Sequence, residues 1–166
     1  METHKITINI EQYTQPNELT QEDQNLLLEA NNAVDNSYAP YSEFHVGAAV
    51  LLENGKIIKG SNQENSAYPS GLCAERVALF YANSQYPDIA VKAIAITAKA
   101  DHFIIESPIA PCGACRQVMA ETEHRQKNKI RIIMQGTNGP VIATTGIENL
   151  LPLVFQEEKL KKINKH

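Results

Sequence analysis

The residues of this chain that are best suited to chemistry are its three cysteines, Cys73, Cys112 and Cys115, with Glu75 beside the first. Cys112 and Cys115 lie three positions apart at a predicted helix start, so their sulfurs point to the same side and can share one metal at about 2.3 Å each. Three protein ligands leave one position of a tetrahedral zinc free, which is typical of a catalytic site. The spacing therefore predicts one catalytic zinc per chain, with Glu75 as its acid/base partner.

Helix geometry restricts how Cys73 and Glu75 can meet at one metal. Residues two apart inside a helix do not face each other. They converge only if Cys73 lies at the helix N-terminus, and Gly71 just before it makes this placement accessible. Two helix N-termini then direct their positive dipole ends at the metal. We expect Arg76 to donate hydrogen bonds to a cysteine sulfur and to tune the metal without binding it.

Two other interpretations of the cysteines remain open at this point. One is a structural zinc knot, which needs a fourth protein ligand. The other is a Cys-x-x-Cys redox pair or small core residues, which have no need of a third cysteine and a glutamate. No histidine lies at a zinc-finger spacing from a cysteine; the histidines are His4, His45, His102, His124 and His166.

Composition limits the partners and the setting of the protein. A chain of 166 residues that is 43% hydrophobic fits one domain, residues 1–166, with an ordinary core. No apolar run approaches the roughly 20 residues of a membrane span, and the first residues lack a secretory apolar stretch. The net charge of −4 predicts no nucleic-acid or membrane partner, only a small ligand that is not strongly anionic. An odd number of cysteines favours a reducing, cytoplasmic location.

Hydrophobic spacing predicts the elements that must position these residues. The N-terminal extension, residues 1–17, contains alternating isoleucines that indicate an edge strand. Thr20 followed by Asp23 indicates a helix cap, and Asn54-Gly55 indicates a hairpin. Together these features predict an α/β fold, a three-layer α/β/α sandwich on a mixed five-stranded sheet. The predicted strands are 5–11, 46–53, 56–60, 91–97, 129–135 and 141–144, and the predicted helices are 21–37, 73–84, 111–125, 147–151 and 156–163.

Beyond the cysteines, several short motifs in this order resemble one family. The chain is similar to the small homotetrameric cytidine deaminases that bind zinc with three cysteines, and the resemblance spans about residues 41–160. In order and spacing the motifs are highly specific to that family. They are Tyr41-Ser42-Glu43-Phe44-His45-Val46-Gly47-Ala48-Ala49, Asn62-Gln63-Glu64-Asn65, Cys73-Ala74-Glu75-Arg76, Pro111-Cys112-Gly113-Ala114-Cys115-Arg116-Gln117, and Leu150-Leu151-Pro152 ahead of Phe155.

The resemblance implies a cytidine deaminase-like fold and the hydrolytic deamination of free cytidine and 2′-deoxycytidine, a step of pyrimidine salvage. A zinc-activated hydroxide would attack carbon 4 of the base while Glu75 shuttles protons. Substrate contacts are implied for six residues, with Tyr68 and Phe155 coming from a neighbouring subunit of a homotetramer with shared active sites. These residues are Phe44, Asn62, Glu64, Tyr68, Ala74 and Phe155.

Departures from the family pattern and rival functions also follow from the residues. His45 stands where family members usually carry proline, and we expect it to be a solvent-facing loop histidine. One rival is a deaminase of a related heterocycle such as blasticidin S, against which Asn62 and Glu64 argue as ribose ligands. Another is a non-catalytic homologue that binds zinc or nucleoside, against which Glu75 argues. The absence of interleaved arginines and aromatics around the zinc argues against a polynucleotide substrate.

Overall fold

A computed structural model describes residues 1–160, apart from the side chain of Lys159. Within these residues a six-stranded mixed sheet carries one helix on one face and two on the other. The elements are β1 (Glu11–Tyr13), α1 (Gln21–Val34), β2 (Phe44–Leu52), β3 (Ile57–Ser61), α2 (Ala74–Gln85), β4 (Val91–Ala100), α3 (Gly113–Gln126), β5 (Arg131–Gln135) and β6 (Val141–Thr145).

The predicted three-layer sandwich is confirmed. The strand order is β1-β6-β5-β4-β2-β3, with β4 and β5 parallel and every other pair antiparallel. Side chains alternate between the faces of a strand. In β2, Ala49 and Leu51 therefore pack toward α1, while Ala48 and Val50 pack toward α2 and α3. Each face of the sheet thus has its own core, with α1 on one face and both α2 and α3 on the other.

The sequence predicted a five-stranded sheet and an N-terminal edge strand, and the two form one six-stranded sheet. The additional strand is β1, which pairs with β6 at the edge through Glu11–Tyr13, whereas the alternation predicted a strand at 5–11. Residues 5–10 form no ladder, and at Asn9 the backbone is bound by side chains. Thr144 Oγ1 donates to the Asn9 carbonyl at 2.7 Å, and the Asn9 N–H donates to Asn149 Oδ1 at 2.8 Å.

Helix placement depends on one cap and one close approach. Thr20 accepts a hydrogen bond from the Asp23 N–H at 3.2 Å, which confirms the predicted start of α1. A Cβ at Gly60 of β3 would lie 2.6 Å from both the Ala74 carbonyl oxygen and the Ala78 nitrogen. Glycine at this position therefore lets the first turns of α2 approach the sheet, and this turn carries Cys73 and Glu75.

Two predicted helices near the C-terminus are only short 3₁₀ turns. Ile147–Asn149 replaces the predicted helix 147–151, because Gly146 with φ 95° turns the chain directly before it. Glu158–Leu160 lies inside the predicted helix 156–163, whose last three residues fall outside the described residues. Both segments follow α3 along its surface, where Gln117 Nε2 donates to the Phe155 carbonyl at 2.8 Å.

None of the helices in residues 1–160 is both long enough and apolar enough to cross a bilayer.

Candidate active site

The three cysteines meet at the N-termini of α2 and α3. Cys73 and Cys112 are the N-cap residues of these helices, with extended backbone angles (φ −71°, ψ 151° and φ −67°, ψ 168°). Neither side chain caps its own helix, so both sulfurs are free to turn toward a common point. The Sγ atoms are 3.8 Å apart for Cys73 and Cys112 and 3.5 Å apart for Cys112 and Cys115. This geometry confirms that Cys73 escapes the helical constraint by preceding the first turn.

The cysteine cluster fits a zinc ion. With zinc–sulfur bonds of about 2.3 Å, a tetrahedral site holds its sulfurs about 3.8 Å apart. All three Sγ atoms lie within 4.8 Å of one another, and in residues 1–160 no histidine or carboxylate joins this group. The protein therefore supplies three of the four ligands that zinc takes, which is the pattern of a catalytic site.

Neighbouring groups prepare the cysteines to bind a cation. A hydrogen bond from Cys115, aided by Arg76 and Cys112, lowers the pKa of Cys73 to about 5. The same contact with Cys73, together with burial, raises the pKa of Cys115. Arg76 Nη2 lies 3.7 Å from the Cys73 sulfur, as predicted from the sequence. A thiolate at Cys73 is thus already stabilised before any metal binds.

Glu75 lies in the first turn of α2, beside the sulfurs. Its residue is only 4% exposed, and burial raises the pKa of its carboxyl group, with a further contribution from the charge of Cys73. It nevertheless borders the same cleft as Cys73 and Cys112. A carboxyl group that is shielded from bulk water, and whose pKa is raised by burial, is suited to general acid/base work.

The cleft in front of the cysteines has a volume of about 820 Å³, within the usual range for small-molecule sites. Its wall combines aromatic and apolar side chains with a small set of polar groups. The lining residues are Tyr41, Ser42, Phe44, Val46, Asn62, Gln63, Glu64, Asn65, Tyr68, Gly71, Leu72, Cys73, Glu75, Arg76, Ile109, Ala110 and Cys112.

At the outer side of the cleft, polar side chains bind the protein's own backbone. Asn62 accepts from the Val46 N–H at 2.8 Å and donates to the Phe44 carbonyl at 2.8 Å. Glu64 accepts from the Tyr41 and Ser42 N–H groups at 2.9 and 3.3 Å and from the Ser42 hydroxyl at 2.5 Å. The hydrogen bond from Ser42 lowers the pKa of Glu64. We call this region, residues 41–46 and 62–64, the rim.

Most of the sequence-predicted site residues come together here, and three of them do not line the cleft. Cys115 is buried behind the other two cysteines. Ala74 is also buried, and its N–H belongs to the first turn of α2, where helices have no internal acceptor. Phe155 is 72% exposed and lies outside the cleft of its own chain. Tyr68, 76% exposed, lies at the cleft of its own chain with its ring edge-on to Tyr41.

Sequence reasoning gave no site role to several residues that line the cleft, among them Tyr41, Ser42, Ile109 and Ala110. Tyr41 and Ser42 belong to the same motif as Phe44, and their proximity to it was the available signal. Ile109 and Ala110 lie in the segment before α3, whose path depends on tertiary contacts, and no local pattern distinguishes them.

The expectation for His45 was wrong. It lies within β2, and its side chain is 23% exposed. The ring is held between Ser37, whose Oγ is 2.6 Å from Nδ1, and Asp101, whose Oδ1 is 3.5 Å from Nε2. Because His45 is a strand residue on the α1 face of the sheet, its ring contacts Ser37 and Asp101 and does not point freely into solvent.

Comparison with known proteins gives concordant results. The model of the family described as "cytidine and deoxycytidylate deaminase zinc-binding region" matches residues 20–139, more than half of the chain. The chain is 48% identical to the cytidine deaminase of Halalkalibacterium halodurans over 139 residues, which is 82% of this chain and 96% of that protein. It is 42% identical to the cytidine deaminase of Sporosarcina psychrophila over 135 residues, 81% of this chain and 92% of that protein.

Solved structures show the same fold. A crystal structure of cytidine deaminase from Burkholderia pseudomallei superimposes with a TM-score of 0.68 at 38% identity, covering 82% of this chain and all of that one. One from Mycobacterium tuberculosis gives a TM-score of 0.61 at 29% identity, covering 80% of this chain and 95% of the other. The matched region of the family model contains the three cysteines, Glu75 and the rim.

Proposed function

Because the chain belongs to the cytidine and deoxycytidylate deaminase zinc-binding family, we propose that it deaminates free cytidine and 2′-deoxycytidine with Glu75 as the proton carrier. The reaction consumes one water, releases ammonia and leaves uridine or 2′-deoxyuridine. The observation that carries this proposal is the buried Glu75 carboxyl group beside three convergent cysteine sulfurs in an open cleft.

Cys73, Cys112 and Cys115 would hold the zinc. When bound, zinc supplies the Lewis acidity that makes water a nucleophile near neutral pH. Glu75 accepts the proton that this water loses and delivers it to ring nitrogen 3. It then takes the second proton from the hydroxyl group now bonded to carbon 4 and passes it to the exocyclic amino group, which leaves as ammonia while the carbonyl forms. One carboxyl group serves both halves of the reaction because it accepts a proton as the carboxylate and donates one as the acid, and burial favours the protonated form by raising its pKa.

The rim offers a specific way to hold the nucleoside. A carboxylate has about four lone-pair sites, and Glu64 already uses three for Tyr41 and Ser42, so one remains for a ribose hydroxyl. Asn62 likewise keeps one N–H and one lone pair beyond its two backbone bonds. Phe44, which borders the cleft, packs on the pyrimidine, and the first-turn N–H of Ala74 donates to the base.

The charges of the cleft favour a nucleoside over a nucleoside monophosphate. Among its lining residues Glu64 and Glu75 are acidic, and Arg76 is the one cation. Arg76 is engaged with the Cys73 sulfur at the inner end of the cleft. A 5′-phosphate entering with its sugar at the rim would face Glu64 without a compensating cation, which costs binding free energy.

Three further features extend the proposal. The active protein is a homotetramer in which Phe155 and Tyr68 of neighbouring chains help to close each cleft; for Phe155, its exposure and its position outside the cleft of its own chain support this. Each chain forms one domain with residues 1–17 as an extension at the sheet edge. The location is cytoplasmic, which fits three unpaired cysteines. The molar mass in solution, compared with 18.4 kDa for one chain, tests the assembly.

The decisive experiment replaces Glu75 with glutamine in the zinc-loaded protein. We expect kcat for uridine formation from cytidine to fall about 10²–10⁴-fold, because the isosteric amide cannot carry a proton. Zinc content measured on the same sample should stay at one ion per chain. Glu29→Gln, on the opposite face of the sheet, is the matched control and should leave kcat unchanged.

The substrate panel for this experiment includes deoxycytidine, deoxycytidine monophosphate, adenosine and blasticidin S. Equal turnover by the parent and the Glu75→Gln protein would eliminate the proton-carrier role. Turnover of blasticidin S without turnover of cytidine would instead assign a different heterocycle, and zinc binding without any turnover would indicate a non-catalytic homologue.

A further inference from the structure

Two histidine–carboxylate contacts flank Phe44, and neither belongs to the metal centre. His102 Nε2 contacts the Glu43 carboxylate, and His45 Nε2 lies 3.5 Å from Asp101 Oδ1. Each contact joins the two strand ends in the opposite sense: His45, at the start of β2, contacts Asp101 after β4, and His102, after β4, contacts Glu43 before β2. We call these four residues, Glu43, His45, Asp101 and His102, the histidine latch.

The latch extends the β2–β4 ladder beyond its last regular pair. Phe44 pairs with Ala100, and the Asp101 N–H donates to the Glu43 carbonyl at 3.3 Å. Side-chain contacts then tie the next residues together on both sides of this pair. On the α1 face, Ser37 Oγ lies 2.6 Å from His45 Nδ1, which fixes the orientation of the ring. The end of β4 is thereby fastened to the residues that carry Phe44.

Glu43 has a backbone conformation that needs such support. Its φ of 54° lies in the left-handed region, which is unfavourable for a residue with a side chain. Its N–H donates to the Ala39 carbonyl at 3.0 Å, and its side chain is held by His102. This conformation reverses the chain between the turn at Tyr41–Ser42 and the start of β2. A contact that favours it therefore also favours the position of the turn.

The turn connects the latch to the substrate cleft. Ser42 Oγ accepts from the Phe44 N–H at 3.1 Å and donates to Glu64. The Tyr41 N–H donates to the same carboxylate. Glu64 and Phe44, the proposed ribose and pyrimidine contacts, are therefore both fixed by a turn whose far side is held at Glu43.

We infer that His45 and His102 are positioning residues for nucleoside binding: through Asp101 and Glu43 they hold the turn that places Phe44 and Glu64 in the cleft. This inference rests on the proposed deamination of cytidine. The latch touches neither the cysteines nor Glu75, so it acts on substrate affinity and leaves the chemical step unchanged. A preorganised binding surface loses less conformational freedom when the ligand binds.

The test measures steady-state kinetics of cytidine deamination with the zinc-loaded protein. We expect His102→Ala and Glu43→Gln each to raise KM about 3-fold, the size typical of one side-chain hydrogen bond, with kcat unchanged. The two changes remove the same contact, so the double variant should resemble either single variant. Adding His45→Asn to His102→Ala should raise KM further, to about 10-fold. His102→Arg retains an N–H donor opposite Glu43 and should restore KM.

Lys99→Met is the matched control. Lys99 pairs with His45 in the ladder, and its Nζ lies 3.7 Å from Asp35 Oδ1, so it belongs to an exposed ion pair at the same strand end that does not hold the turn. Its KM should equal that of the parent. An unchanged KM in the His102 and Glu43 variants overturns the inference. A joint loss of kcat, zinc and thermal midpoint also overturns it, since that pattern marks a purely structural role. Absence of cytidine turnover in the parent would refute the proposed function instead.

Discussion

The metal centre and the rim use polar side chains in opposite ways. Cys73 and Cys112 are N-cap residues whose side chains do not cap their helices, so their sulfur atoms remain available to a metal. Asn62 and Glu64 also carry polar groups into the cleft, but most of their hydrogen-bonding capacity binds the protein's own backbone. We therefore expect the metal centre to act on the chemical step and the rim to act on the position of the substrate. Substitutions should therefore separate into effects on kcat and effects on KM and stability.

The largest effect is expected at the metal centre. Cys115→Ala removes a buried zinc ligand, so bound zinc should fall to a small fraction of one ion per chain. Turnover should fall on the order of 10³-fold or more, since water is a weak nucleophile without a Lewis acid. Atomic emission and uridine formation measure the two quantities. Ala114→Ser, one residue earlier in the same turn, should retain both, and a fully active zinc-free Cys115→Ala protein would contradict the zinc role.

A smaller effect on kcat is expected at Arg76, which also belongs to the metal centre. Its guanidinium donates to the Cys73 sulfur, and it lies beside the metal ligands without joining them. Arg76→Gln should lower kcat about 10–100-fold while zinc content stays near one ion per chain. Arg76→Lys keeps the positive charge, so its kcat should lie between that of the parent and that of Arg76→Gln. Identical kinetics in all three proteins would remove Arg76 from the metal centre's function.

The rim should show the opposite signature. Asn62→Ala leaves the Val46 N–H and the Phe44 carbonyl without their partner. The free energy of unfolding should therefore fall by about 1–3 kcal/mol, with a raised KM and little change in kcat. Urea unfolding and steady-state kinetics measure these quantities. If Asn62→Ala changed only kcat, the rim would not differ from the metal centre in the way proposed.

Arg131→Gln shows whether general destabilisation alone can raise KM. Arg131 forms two hydrogen bonds to Glu11, at 3.1 and 2.8 Å, and one at 2.9 Å to Asp23, whose side chain is almost fully buried. Its loss should also lower the free energy of unfolding by about 1–3 kcal/mol. The site lies outside the cleft, so KM should not change. A matching rise in KM would show that the Asn62 result reflects stability alone.

Features encoded by local spacing could be predicted from the sequence. The Cys112/Cys115 pair and the glycine-containing hairpin depend on residues close in the sequence, as does the Thr20 cap of α1. The position of Cys73 at a helix start followed from the requirement that it converge with Glu75. Arg76 was placed at the cysteines for a similar reason, because it lies one helical turn from Cys73.

Features that depend on distant contacts could not be predicted. Alternating isoleucines indicated a strand at 5–11, but the strand forms at Glu11–Tyr13, and the side chains of Thr144 and Asn149 bind the backbone of Asn9 just before it. His45 was predicted to be a loop residue because its partners lie outside β2: Ser37 follows α1, and Asp101 follows β4. The backbone bonds of Asn62 likewise require the β2–β3 pairing to be in place.

Strand β1 lies outside the region matched by the family model, yet it covers the outer side of β6. A shortened protein that begins at residue 20 would keep every zinc ligand while leaving a row of peptide groups along β6 unpaired. Such a row is a template for self-association between molecules. Loss of solubility on storage, with catalysis intact in the fraction that stays dissolved, is the consequence of removing this short strand.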